Sequence, residues 1–281
     1  MMKKLTRIFV FIQTLLYFVF LFLDITGGSR GLSTGLKYSI ILLCFLYILL
    51  AVVRSKENRF RKPEGNSSGK SNGNLYRENH ENMRWGLNPD IYLLMGLVFT
   101  VIADLFLLVL NSYYQLGVFS FIIVQFLYGT KLEIEKIESS NQIAISHVLK
   151  RVIRHRILPC IIITTGISII FLLLNTQQVI FLIMTTFYFV SILFNTLDAL
   201  RLAANQSHIR KHLLFAAGMI LFVLCDINVG LYNMKDYLMI PEKLDEILQS
   251  LSSLLMWTFY APSQVLIALS SGQFGKISQK N

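Results

Sequence analysis

Two aspartates stand alone inside long apolar stretches of this sequence, Asp104 within 91–110 and Asp226 within 213–232. On insertion scales, an Asp at the centre of a membrane-spanning helix costs about 2.5–3.5 kcal/mol. Two of them take a large share of a typical folding stability of about 5–15 kcal/mol. Acids kept at that cost mark proton chemistry or an ion path. Their settings repeat. Gly96 lies eight residues before Asp104 and Gly218 eight before Asp226; Val101 and Val223 lie three before; Asn111 and Asn233 lie seven after. At about 100° per residue, positions −8, 0 and +7 share one helix face. Each helix therefore turns a small, polar face towards its neighbours. Other polar residues in apolar runs are placed to line the same chamber: Gln125, Tyr128, Tyr188, Asn195, Asn228, Tyr260 and Gln264. Taken singly, each reads as a helix-to-helix hydrogen bond.

The elements that position these residues follow from composition. The chain has 281 residues, 54% of them hydrophobic and only 15% charged. A soluble domain carries about 25% charged residues, so this chain lacks the polar material for a water-facing surface. Eight apolar segments approach the roughly 20 residues that cross a bilayer: 8–23, 37–53, 91–110, 114–130, 157–174, 179–197, 213–232 and 251–269. They predict an all-α membrane protein in one eight-span domain, 1–281, with tight hairpins at 111–113 and 175–178. The offset of 122 residues between the acids predicts an internal repeat of four spans per half, and an even number keeps the halves parallel.

The net charge is +10, and its placement matters more than its size. Of 26 Lys and Arg, 22 fall in alternate connections and at the two ends. The positive-inside rule places those connections and both termini in the cytoplasm. The basic excess is thus a topology signal, and no nucleic-acid partner is expected. The first span follows Lys3, Lys4 and Arg7 without a small-residue cleavage site, which predicts an uncleaved signal anchor. Residues 54–90 contain the tract Gly65–Asn74, rich in Gly, Ser and Asn, which cannot bury a core; a flexible cytoplasmic loop is expected. Residues 146–156, SHVLKRVIRHR, read as a cation-anchored interfacial extension of the fifth span. Cys44, Cys160 and Cys225 form no metal or redox motif and are expected as free thiols. All five histidines, His80, His147, His155, His208 and His212, fall in cytoplasmic stretches; two at i,i+4 do not make a metal centre. No cofactor or metal is expected.

At the acids the sequence resembles the YhhN family of lysoplasmalogenase-like integral membrane proteins. Gly96-Leu-Val-Phe-Thr-Val-Ile-Ala-Asp104 is similar to its GLxFSxxGD segment, and Gly117, Phe121, Gln125 and Tyr128 follow its G-x3-F-x3-H-x2-Y spacing. Phe222-Val-Leu-Cys-Asp226 resembles F-x-x-S-D, and Tyr260-x3-Gln264-Val-Leu-Ile-Ala268 the closing Y-x3-Q-x-L-I-A. Gln125 stands where the family pattern has His, Ala103 where it has Gly, and Cys225 where it has Ser. The resemblance implies eight spans and cleavage of the vinyl ether bond of a lysoplasmalogen. The products are a fatty aldehyde and a glycerophospho-head group.

The chemistry suits the residues. A vinyl ether hydrolyses by proton transfer to carbon, and water captures the oxocarbenium ion. Burial and a neighbouring carboxylate both favour the protonated form of an acid. Asp104 and Asp226 are therefore the expected acid/base pair. Gln125, Tyr128, Tyr260, Gln264 and Asn228 are expected to position the ether or water, and Lys37 to lie at a rim for the lipid phosphate. The partners are then a lysophospholipid and membrane lipids, and the location is a bacterial cytoplasmic membrane. The alternative is a proton-coupled transporter or lipid carrier that uses the same acids. An intramembrane aspartyl protease is disfavoured, because its GxGD motif is absent.

Overall fold

The computed structural model describes residues 2–60, 88–138, 145–173, 179–207, 209–233 and 241–271. Its helices are α1 (Met2–Thr26), α2 (Arg30–Phe60), α3 (Pro89–Asp104), α4 (Tyr114–Glu138), α5 (Ile145–Val152), α6 (Leu158–Leu173), α7 (Val179–Asn205), α8 (Arg210–Tyr232) and α9 (Glu242–Leu269). Two π-helical turns interrupt the order, Leu105–Val109 directly after α3 and Ile153–Ile157 between α5 and α6. Among the described residues there are eight helical segments long and apolar enough to cross a membrane, the fifth being α5 and α6 joined through their π turn. The chain is an integral, multi-pass, all-α membrane protein.

Local sequence explains the ends. Asn88 caps α3 by accepting from the Asp90 backbone N–H at 3.1 Å, and Pro89 follows at the first helical position, where its missing N–H costs nothing. Gly27, at φ +68°, ends α1 in the left-handed region that favours glycine. The α3–α4 hairpin turns through Asn111 and Tyr113, both with positive φ. Outward-facing apolar residues such as Phe11 and Ile162 remain largely exposed, as a lipid-facing surface requires.

Several helices outrun the spans expected from hydropathy. The second span does not stop at 53 but continues to Phe60, so residues 54–60 of the loop expected at 54–90 are helical; 61–87 lies outside the described residues, as does the connection expected at 175–178. The fourth span continues through 131–138, which had read as part of a cytoplasmic connection. The last helix begins at Glu242 rather than 251. The physical reason is common to all: charged residues end a hydropathy window but do not end a helix. In the α4 extension the charges find partners across helices, Glu133 with Arg156, Glu135 with Lys211 and Lys136 with Asp198.

The packing is two-fold. In the first half α1 packs on α2, α2 on α3 and α3 on α4; in the second, α6 packs on α7, α7 on α8 and α8 on α9. The halves join through α4 against α7 and α9 against α2, which exchange under the same correspondence. The likeness reaches single residues. A Cβ on Gly96 would collide with the Tyr128 ring of α4, and a Cβ on Gly218 with Ile267 of α9. Phe121, Gln125 and Tyr128 in α4 correspond to Tyr260, Gln264 and Ile267 in α9 at one constant offset. The repeat expected from the aspartates thus extends over both four-span halves.

Candidate functional site

Asp104 is the last residue of α3, at the point where the α-helix gives way to the π turn. Such turns concentrate at functional sites. Its side chain is buried, and its Oδ2 accepts a hydrogen bond from the Tyr260 hydroxyl of α9 at 2.8 Å. Asp226, in α8, has the matching arrangement: its Oδ2 accepts from the Tyr188 hydroxyl of α7 at 2.7 Å. Each carboxyl is therefore held by a phenol from another helix, which fixes its plane and leaves Oδ1 free of that bond.

One aromatic cluster connects the two pairs. The Phe121 ring lies 5.7 Å from Tyr188, 5.7 Å from Phe222 and 6.5 Å from Tyr260, measured between centroids. Tyr188 is within electrostatic range of both Asp104 and Asp226. The acids thus share a neighbourhood through their tyrosines rather than through a carboxyl-to-carboxyl hydrogen bond. Phe121 belongs to the G-x3-F spacing. Gly117, four residues earlier, lets the start of α4 lie against Leu107 of the π turn.

The remaining expected residues separate into groups. Tyr260 is at the acids. Tyr128 is fully buried, one edge against Gly96 and 5.6 Å from Phe215 between ring centroids. Gln264 is fully buried, and neither amide atom has a hydrogen-bond partner. Asn228 lies one half-turn beyond Asp226 and donates to the Leu224 carbonyl at 2.7 Å. Gln125 points the other way, towards α7: its Oε1 accepts from Asn195 Nδ2 at 2.9 Å. Lys37 is bound within the protein. It pairs with Asp24 at 2.7 Å and lies over the rings of Trp257 and Phe20, at 5.1 and 5.6 Å. Trp257 in turn packs on Tyr260 at 5.3 Å, so Lys37 sits two rings from Asp104.

Sequence reading missed a second set of buried charges at the basic end of the bundle. Lys131, Glu133 and Glu135 of α4 are buried, and so are Arg156 of the π turn and His212 of α8. Arg156 donates to Asn195 Oδ1 and pairs with Asp198 at 2.7 Å and Glu133 at 3.3 Å. Glu135 pairs with Lys131 at 3.0 Å and Lys211 at 3.1 Å, and His212 Nδ1 lies 3.5 Å from it. Asp104 and Asp226 are therefore not the only interior acids. Arg156, expected as an interfacial anchor, is buried in an ion-pair network. His208 lies outside the described residues. The available signal was the i,i+4 spacing of Lys131 and Glu135, which continues the helical face of α4 past its apolar end. Cys44, Cys160 and Cys225 are free and buried, as expected.

Eight membrane-crossing helices in two matching halves, each with a tyrosine-held carboxyl within a spanning segment, define a polytopic membrane protein with intramembrane acids. Residues 83–271, which include both acids and all four motif segments, match the YhhN family, and the chain belongs to that family. Neither the curated proteins nor the solved structures contain a match.

Proposed function

We propose that this protein is a lysoplasmalogenase-like hydrolase. The observation that carries the reading is the pair of interior carboxyls, the buried Asp104 and the half-buried Asp226, each oriented by a tyrosine hydroxyl around one aromatic cluster. Membership of the YhhN family supports it. In the reaction, one aspartic acid transfers its proton from Oδ1 to the β-carbon of the vinyl ether, and the enol ether oxygen takes up the positive charge as an oxocarbenium ion. The second aspartate accepts a proton from water as that water adds to the α-carbon. The resulting hemiacetal collapses to a fatty aldehyde and releases the glycerol oxygen as an alcohol, with one water consumed. Tyr260 and Tyr188 hold the carboxyl planes. The aromatic rings exclude bulk water, so proton transfer takes place in a medium where opposed charges act strongly.

The test is turnover of a lysoplasmenylethanolamine by purified protein, followed as aldehyde released. A positioned general acid or base contributes about 10²–10⁴-fold, so Asp104→Asn and Asp226→Asn are each expected to lose at least the lower figure. Wild-type rates in both variants would remove the proposal. The two-fold packing favours one second reading, a proton-coupled carrier with one acid per half. Substrate flux into proteoliposomes without aldehyde formation would select it.

A further inference from the structure

The stretch 141–157 carries Lys150, Arg151, Arg154 and Arg156 and no acidic residue. The fold sorts these cations. Val148 and Val152 are buried against Ile134 and Ile137, so α5 lies on the basic end of α4. Arg156 is buried in the ion-pair network. Lys150, Arg151 and Arg154 are exposed, and none of the three has an ion-pair partner among the described residues. At about 100° per residue they share one arc of the helix, turned away from Val148 and Val152.

An apolar stripe runs beside that arc. Leu149, Ile153, Leu158 and Ile162 are 50%, 47%, 51% and 63% exposed. The stripe advances four residues at a time except across the π turn Ile153–Ile157, where it advances five, because a π turn takes up one more residue. The π turn thus keeps the stripe in line from α5 into α6. Both belong to the fifth membrane-crossing segment, Val148–Ile170. Exposed apolar residues on such a segment meet acyl chains, so the three cations beside them, at its polar end, lie at the depth of lipid head groups. Topology alone does not require this order, since the positive-inside rule counts cations in a connection wherever they point.

The chemistry of the occupant follows. Phosphate oxygens are the acceptors at that depth. A zwitterionic head group brings its own cation towards the three already there, and an anionic one does not, so the patch selects net negative charge. We propose that the outward face of α5 binds an anionic phospholipid of the adjoining leaflet. Its phosphate lies on Lys150, Arg151 and Arg154, and an acyl chain follows Ile153, Leu158 and Ile162. The site is apart from Asp104 and Asp226 and does not rest on the reaction proposed for them.

The test places the full chain in nanodiscs of equal parts palmitoyl-oleoyl phosphatidylglycerol and palmitoyl-oleoyl phosphatidylcholine and reads the retained lipid by native mass spectrometry. The wild-type protein is expected to retain phosphatidylglycerol preferentially. A cation at a membrane surface is worth about fivefold in binding. Lys150→Gln with Arg151→Gln and Arg154→Gln is therefore expected to lower the preference about 100-fold, with the melting temperature unchanged because these side chains are exposed. Lys3→Gln with Lys4→Gln and Arg7→Gln removes the same charge before the first span and is expected to keep the preference. Equal retention of the two lipids by the wild-type protein overturns the proposal without any variant having to fold. An undiminished preference in the folded α5 variant overturns the location. Equal losses in the two triple variants reduce the site to net charge and overturn it. Displacement of the phosphatidylglycerol by inorganic phosphate at constant ionic strength overturns the lipid as occupant.

Discussion

Asp104 and Asp226 stand out in the sequence because an ionisable residue within an apolar run has no cheap explanation. Their partners are less distinct, since Tyr188 and Tyr260 read only as two of several polar residues placed to line the same chamber. Tyr188 and Tyr260 are two of 12 tyrosines and Phe121 one of 21 phenylalanines, and membrane helices use both types freely. Only the fold shows that two phenols reach the two carboxyls at 2.7 and 2.8 Å. Tyr188→Phe and Tyr260→Phe each delete one hydroxyl and keep the ring. A hydrogen bond to a charged group contributes about 1.5–3 kcal/mol, so each variant is expected to lose about 10–100-fold in kcat, with KM changed less, if the bond orients the carboxyl in the transition state. Aldehyde release under substrate saturation measures this. Unchanged kcat in both would make the phenols packing residues, and the aromatic cluster would then have no part in the chemistry.

At the scale of the element, the repeat was legible in α3 and α8, where Gly, Val, Asp and Asn recur in register. It was not legible in α4 and α9, although Phe121, Gln125 and Tyr128 correspond to Tyr260, Gln264 and Ile267. The connection before α9 is longer than the one before α4, so a single offset cannot align all spans. The glycines explain why the paired helices sit so close. A Cβ on Gly218 would fall 3.0 Å from the Ser263 carbonyl oxygen and 2.7 Å from Ile267 Cγ1, and backbone cannot yield to it. Gly96 faces the buried Tyr128 ring, which has no free space to rotate into. Gly96→Ala and Gly218→Ala are each expected to destabilise by about 1–3 kcal/mol, the usual cost of overpacking. Gly166, in α6, has open space where its Cβ would lie. Gly166→Ala is expected to stabilise by about 0.5–1 kcal/mol through helix propensity alone. Thermal unfolding in detergent would separate the three; a stable Gly218→Ala protein would contradict the close α8–α9 approach.

Across the whole molecule, the charges at the basic end do more than orient the chain. Lys131, Lys136 and Arg156 each counted towards the expected cytoplasmic side, because loop counting cannot distinguish a cation in water from one in a buried pair. In the fold, Arg156 ties the π turn to α4 through Glu133 and to α7 through Asp198 and Asn195. Glu135 ties α4 to α8 through Lys211. These contacts join helices distant in sequence at one end of the bundle, while the Asp–Tyr pairs join others within it. Replacing one member of a buried ion pair leaves its partner charged and unsatisfied, at a cost of about 3–5 kcal/mol. Arg156→Met is therefore expected to be destabilising, because Glu133 and Asp198 lose the more buried of the two cations they share and keep only Lys136 between them. Removing these three charges together, as Arg156→Met with Glu133→Gln and Asp198→Asn, leaves only the partly exposed Lys136 without Glu133 and Asp198 and is expected to recover most of that loss. The recovery separates a desolvated network from a surface one. Exposed pairs contribute only about 0–1 kcal/mol, and salt screens them. If the single variant melts with the wild type, or if raised salt removes the difference, the cluster is solvated. If the triple variant is as unstable as the single one, the arginine stem, through its packing against Gly129, matters more than its charge.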